Sequence, residues 1–342
     1  MILKILIISP TQSGIGGIAG VVQNQIKFLK SKGHEVDVIS SENTPIIPIK
    51  GLKNPSFMIS SYLKTKFKKN YDIVHAHNPA SALAMKNISG KKILSLWGVF
   101  ENQIELLHGS TLGKLSGKFE RNMLKHADAI IVASKDIQKY YTKLGYRIHY
   151  IPNGIDLNSL PKTENRLYKK QIIYAGRLSK EKGIFNLIKV SEDLPNEIHF
   201  IILGNGPEEN KIKDLVKKKP NIHYLGYQPK EKTIPLIRGS DILIQPSLME
   251  GGLNTTLLEA MACKIPIIAT KLDVYSDEIK HMKTAYCVKP ESTKEILDGI
   301  NFFLLNKSER KYIIENSYQI VQNHSWEKII DKYITIYENL QE

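Results

Sequence analysis

A chain of 342 residues, 42% hydrophobic and 24% charged, is long for one compact domain and comfortable for two, which excludes a disordered chain. The formal net charge of +14 is uneven: residues 1–160 hold 21 Lys and Arg against 10 Asp and Glu, and residues 161–342 hold 27 against 24. No stretch approaches the roughly 20 apolar residues that cross a bilayer, and the apolar start at Met1 is too short and lysine-interrupted to read as a secretory signal.

Short β-branched runs alternate with amphipathic stretches along the chain, which is the pattern of parallel α/β architecture. In the first half, strands are predicted at residues 4–9, 35–39, 72–75, 92–96, 128–133 and 147–151. Helices fall between them, for example over residues 18–31 and 115–126, and Gly33 supplies the left-handed stop after the first. Ser60-Ser-Tyr-Leu-Lys64-Thr-Lys66-Phe67-Lys68-Lys69 mixes apolar and basic residues at helical spacing. It is expected either to rest on an anionic membrane surface or to be an ordinary surface helix. His75 and His77 flank Ala76 at a strand end, and one is expected to face the core while the other faces a ligand.

At Ile151-Pro-Asn-Gly-Ile-Asp156 the pattern breaks into turn residues, and a polar stretch follows over residues 161–170. The alternation then restarts, with strands predicted at 171–175, 198–203, 222–225, 241–245, 265–269 and 285–288, and closing helices at about 291–306, 307–323 and 326–340. The restart predicts two doubly wound domains, 1–153 and 154–324, with the last helix at about 325–342 packing back on the first. Such sheets bind ligands outside the carboxyl ends of their strands, so two facing domains form a cleft. Cys263 and Cys287 fit no metal or redox spacing and read as packing residues of a reducing cytoplasm.

Two stretches carry chemistry. Tyr174-Ala-Gly-Arg-Leu-Ser-Lys-Glu-Lys-Gly183 follows a strand and opens a helix, placing Arg177 and Lys182 where both can converge on a diphosphate. Fixed cations there stabilise the charge that develops on a leaving phosphate; the bland alternative is a solvated basic loop. Pro246-Ser-Leu-Met-Glu250-Gly-Gly-Leu-Asn-Thr-Thr-Leu-Leu-Glu259 also follows a strand. Its glycines admit close backbone approach, its helix start suits phosphate oxygens, and Glu259 suits ribose hydroxyls. Glu250 faces a sugar on this reading, and either glutamate alone also reads as surface solvation or helix support.

These stretches resemble glycosyltransferase family 4, of GT-B fold, and the resemblance runs over nearly the whole chain. It includes Gly14-Ile-Gly16-Gly17, Lys32-Gly-His-Glu-Val-Asp37, Tyr71-Asp-Ile-Val-His-Ala-His-Asn78, Ile151-Pro-Asn-Gly-Ile-Asp156, Leu203-Gly-Asn-Gly-Pro207, Leu225-Gly226 and Ser325-Trp326. The resemblance implies two Rossmann-like domains facing across a cleft and a retaining, metal-independent transfer of sugar from a nucleotide-sugar, UDP- or GDP-linked. Arg177, Lys182 and Glu250 are then the catalytic residues. Gly251, Gly252, Leu253, Asn254 and Thr255 line sugar and phosphates, Glu259 binds the ribose, and Gly204, Asn205, Gly206, Gly226 and Tyr227 flank the base. Gly16 and Gly17 lie across the cleft. No metal or cofactor is implied, which agrees with the lack of an Asp-x-Asp triplet.

The sequence departs from the family twice. Glu250 and Glu259 have eight residues between them, where seven is usual, and Trp97 stands before Gly98 where a histidine often touches the donor sugar. Trp97 and His77 are therefore candidates for donor-sugar or acceptor contact. The acceptor class implied is a lipid-linked, glycolipid or polysaccharide chain, handled in the cytoplasm or at the inner membrane face. A catalytically weak GT-B subunit that supports an active partner, and a nucleotide-sugar epimerase, are the alternatives. The glycine spacing of Gly14-x-Gly16-Gly17 argues against a dinucleotide dehydrogenase, and no nucleic-acid-binding module is present.

Overall fold

Parallel strands buried on both faces need apolar side chains on both sides, which is why runs such as Ile5–Ile8 and Ile172–Tyr174 are continuous rather than alternating. The computed structural model describes residues 1–12, 17–49, 51–67, 70–275 and 278–342, with only the backbone of Leu107 and His108. It divides into one unit of Met1–Gly154 with Trp326–Glu342, and a second of Ile155–Ser325.

The first unit runs β1 (Lys4–Ser9), α1 (Gly17–Ser31), β2 (Glu35–Ser40), α2 (Lys53–Thr65), β3 (Ile73–His77), α3 (Pro79–Ala82), β4 (Lys91–Leu96), α4 (Phe100–His108), α5 (Ser110–Leu124), β5 (Ala129–Val132), α6 (Lys135–Lys143) and β6 (Ile148–Tyr150). Its six strands are parallel in the order β2-β1-β3-β4-β5-β6. The second unit runs β7 (Gln171–Ala175), α7 (Ile184–Asp193), β8 (His199–Leu203), α8 (Glu209–Lys218), β9 (Ile222–Gly226), α9 (Lys230–Arg238), β10 (Ile242–Gln245), α10 (Thr255–Ala262), β11 (Ile267–Thr270), β12 (Tyr286–Val288), α11 (Thr293–Leu305) and α12 (Lys307–Gln322). Its strands pair in parallel in the order β12-β11-β10-β7-β8-β9.

The last helix, α13 (Trp326–Gln341), returns to the first unit. Its spacing places Trp326, Ile329, Ile330, Tyr333 and Tyr337 on one face, and all five are buried in a cluster with Leu3, Ile5, Phe28 and Ile93. A polar bond reinforces the docking: the Tyr337 hydroxyl lies 2.6 Å from His75 Nδ1 on β3. The α4 helix, which the sequence pattern does not announce, packs along α5 and is tied to it by Arg121 and Glu101 at 3.0 Å.

Candidate functional site

In the second sheet the chain moves from β7 outward to β8 and β9, then crosses back to β10 on the other side of β7. The β7/β10 boundary is therefore the point where successive loops diverge and a ligand crevice opens. Both chemistry-bearing loops leave these two strands: Arg177 and Lys182 follow β7, and residues 250–254 follow β10. The loops are joined by backbone, since the Leu248 and Met249 amides donate to the Glu181 carbonyl at 2.8 and 3.3 Å. Gly183 has a φ of +72°, and a Cβ there would overlap the Pro246 carbonyl, so glycine is required twice over.

Glu250 is the hub of the side chains. Its Oε1 lies 2.6 Å from Lys182 Nζ and accepts from Ser247 Oγ at 2.8 Å and Asn254 Nδ2 at 3.0 Å. Asn254 has a second task, because its Oδ1 accepts from the Leu257 amide at 2.9 Å and caps α10. One asparagine thus fixes the carboxylate to the helix start. Glu250 is held by three donors.

Arg177 is exposed and makes no ion pair among the described residues. Its backbone is nonetheless fixed, as the buried Tyr174 hydroxyl donates to the Arg177 carbonyl at 2.7 Å. Burial pushes that phenol far above its usual range, which keeps it a donor. The loop after β8 supports the same segment. A Cβ at Gly204 would overlap the Gly176 carbonyl and one at Gly206 the Leu178 carbonyl, while the Leu178 amide donates to the Asn205 carbonyl at 2.9 Å. Gly204 in turn donates to the Gly226 carbonyl at 2.8 Å, and Tyr227 beyond it is exposed. These glycines therefore have a packing reason of their own.

Glu259 lies within α10 and is buried. Burial pushes its carboxyl above the usual range, opposed by Lys230, whose Nζ is 3.2 Å from Oε1. Lys230 opens α9 and is the site residue that the sequence reading missed. No local motif announces it, because the pairing arises only when α9 and α10 come together. Leu253 turns its side chain into the core, Gly252 is buried, Gly251 is half-buried and Thr255 begins α10. A depression of about 500 Å³ beside β9 and α9, bordered by Asn165, Leu225, Gln228 and Glu231, contains none of the charged groups above, so chemistry rather than volume locates the site. Among the described residues no three His, Cys, Asp or Glu side chains cluster as metal ligands.

In the first unit, Gly16 lies outside the described residues and Gly17 opens α1, the next element after β1. The expected division of His75 and His77 between core and ligand is not observed. Residues two apart on a strand share a face, and the two imidazoles stack at 4.6 Å, both fully buried. His75 bonds Ser95 Oγ at 2.7 Å through Nε2, with Gln25 and Tyr337 at Nδ1. His77 has no hydrogen-bond partner among the described residues, and burial lowers its pKa to about 3, so it is neutral. Trp97 covers it: the rings are 5.8 Å apart and 4° from parallel. One face of the half-buried indole is thus already occupied, and Gln103 Nε2 fixes the Trp97 carbonyl at 3.3 Å.

Sequence comparison assigns the two halves. The pattern described as Glycosyltransferase Family 4 matches residues 15–159, and that described as Glycosyl transferases group 1 matches residues 158–320. The chain belongs with the family 4 glycosyltransferases. It is a transferase enzyme of GT-B type, with two Rossmann-like domains. The O-antigen biosynthesis glycosyltransferase WclY of Escherichia coli is 23% identical over 342 residues, covering 94% of each chain. Sucrose-phosphate synthase of Thermosynechococcus elongatus has a similar structure, with a TM-score of 0.81 at 17% identity over 98% of this chain and 99% of that one. HepE of Anabaena, solved with UDP-glucose, gives a TM-score of 0.75 at 17% identity over 98% of this chain and 100% of that one.

Proposed function

We propose that this glycosyltransferase takes a sugar from a UDP- or GDP-sugar and moves it, with retention and without a metal ion, to a lipid-linked, glycolipid or polysaccharide acceptor in the cytoplasm. The carrying observation is the meeting of the Arg177–Lys182 and Glu250–Asn254 loops at the β7/β10 switch point. The UDP-glucose bound by HepE and the O-antigen role of WclY support the donor and acceptor classes.

As the bond from the sugar anomeric carbon to the diphosphate breaks, negative charge builds on the leaving phosphate. Arg177 and Lys182 neutralise it, and the amides at the start of α10 add their dipoles. Lys182 then shares its charge between Glu250 and the diphosphate, so Glu250 sets where that ammonium points. Glu259 accepts from the ribose hydroxyls, with Lys230, 3.2 Å from its Oε1, partly offsetting the burial of the carboxyl. Within the first domain, the free face of Trp97 is open to a sugar ring. His77, buried and neutral, supports that indole rather than moving protons. The acceptor hydroxyl attacks on the face the diphosphate leaves, which retains configuration.

Incubation with UDP- and GDP-sugars, with and without chelator, tests this reading. Slow donor hydrolysis without acceptor, unchanged by chelator, is the expected result. Loss of hydrolysis on chelation contradicts the metal-free mechanism, and no hydrolysis of any donor favours a supporting subunit in which Trp97 has replaced a working histidine. An epimerised nucleotide-sugar among the products points instead to the epimerase alternative.

A further inference from the structure

Gln245 ends β10 after Ile242, Leu243 and Ile244, and it is only 2% exposed. Ser247, two residues on, is fully buried. Burying a carboxamide and a hydroxyl is unfavourable unless their hydrogen bonds are made, so the bonds they make are informative. Gln245 Nε2 donates to Ser247 Oγ at 3.0 Å, and Ser247 Oγ donates to Glu250 Oε1 at 2.8 Å. The directions follow from valence. A carboxylate offers only acceptors, so the Ser247–Glu250 bond uses the single hydroxyl proton of Ser247. That proton cannot also reach Gln245, and the Gln245–Ser247 bond is therefore made by the carboxamide N–H. The amide is held in one orientation, and its Oε1 has no partner among the described residues. A buried acceptor kept in that state needs a reason beyond its own packing.

Glu250 Oε1 supplies the reason. Three donors meet on that one oxygen: Lys182 Nζ at 2.6 Å, Ser247 Oγ at 2.8 Å and Asn254 Nδ2 at 3.0 Å. The Glu250 side chain is 6% exposed, so water is poorly placed to replace a missing donor, whereas Lys182 is 24% exposed and open to a ligand. Each neutral donor draws off part of the carboxylate's charge and so loosens its hold on the ammonium. We infer that Gln245, Ser247 and Asn254 are positioning residues that act through Glu250 to keep the Lys182 ammonium available to an anion, a role that rests on Lys182 serving the donor diphosphate. Ser247 and Asn254 act on Oε1 directly. Gln245 acts one bond further back, by leaving the Ser247 proton no other direction.

A relay that merely pins the loop would affect binding whether or not Lys182 is present, so a double-mutant cycle separates the two. The test is calorimetric titration of the full chain with UDP and with GDP, as wild type, Ser247→Ala, Asn254→Ser, Lys182→Ala and the two double variants. Asn254→Ser keeps a side-chain oxygen to cap α10 while losing the amide donor, so it carries the test if Ser247→Ala melts too low to titrate. Each change at 247 or 254 alone should weaken nucleotide binding roughly three- to tenfold, a fraction of what a charge-assisted hydrogen bond contributes. In the Lys182→Ala background the same changes should alter affinity by less than about twofold, because the ammonium they act on is gone. Equal weakening in both backgrounds overturns the inference, as does wild-type affinity in the single variants at 247 and 254, and either result leaves the diphosphate reading standing. Failure of the wild type to bind either nucleotide removes that reading and the positioning role together.

Discussion

Glu120 lies buried on α5, and its Oε1 accepts from the Phe100 amide at the first turn of α4 at 3.3 Å. Burial pushes its carboxyl from 4.5 to about 7, against the lowering effect of its hydrogen bonds. The folded value lies above the unfolded one, so the fold favours the neutral acid. That favourable contribution is complete below pH 4.5 and is lost as pH rises through about 7, above which the fold carries a buried charge. Glu120→Gln keeps an acceptor for the amide and cannot ionise. It should melt at a higher temperature than the wild type above pH 7, and the gap should close as pH falls towards 4.5, as read by thermal melts across that window. A gap independent of pH would assign the effect to packing. At this same scale the sequence was least informative. Arg177, Lys182, Glu250 and Glu259 stand in ordered motifs, whereas Lys230 meets Glu259 only through the topology of α9 and α10. The His75 and His77 pair shows the reverse failure: a periodicity of two was available, and it puts both rings on one face.

At the scale of elements, the junction of the β7 and β10 loops depends on Gly183. Gly183→Ala forces a side chain into left-handed backbone and against the Pro246 carbonyl. A loss of about 1–3 kcal/mol is expected, and it should appear in denaturant melts as a lower midpoint with a parallel loss of donor hydrolysis. Stability and hydrolysis equal to wild type would mean that the two loops are not locked together here. The strands themselves were legible within a residue or two, because buried parallel strands write themselves as β-branched runs: 171–175 and 222–226 are observed where 171–175 and 222–225 are read. The α2 helix was legible only as a mixture of apolar and basic residues. Periodicity identifies which side chains share a face, but it does not say which face meets the core. Here that ambiguity hid the reversed orientation, since the small polar Ser61 and Thr65 are the buried ones.

At the scale of the molecule, the chain is two sheet-centred units of which the first is discontinuous. Its core includes Trp326, Ile329, Ile330, Tyr333 and Tyr337 from the far end of the chain. Each such side chain contributes about 1.5–3 kcal/mol, so together they rival the whole margin of about 5–15 kcal/mol of an ordinary domain. A chain ending at Ser325 should therefore lose the cooperative melting of the first unit while the second, Ile155–Ser325, still unfolds as a cooperative body. Calorimetry checks this, and a truncated chain that keeps both transitions would show that the last helix is dispensable. The two-sheet class and the family were readable because motifs recur in fixed order at strand ends.

Calorimetric titration of the full chain with UDP and with GDP, repeated with Lys182→Ala, tests the central claim most directly. The account predicts that one nucleoside diphosphate binds and that the variant binds it about tenfold or more weakly, the cost of one charge-assisted contact. Equal affinity of wild type and Lys182→Ala, or no affinity for either nucleotide, would contradict a diphosphate held at the β7/β10 junction.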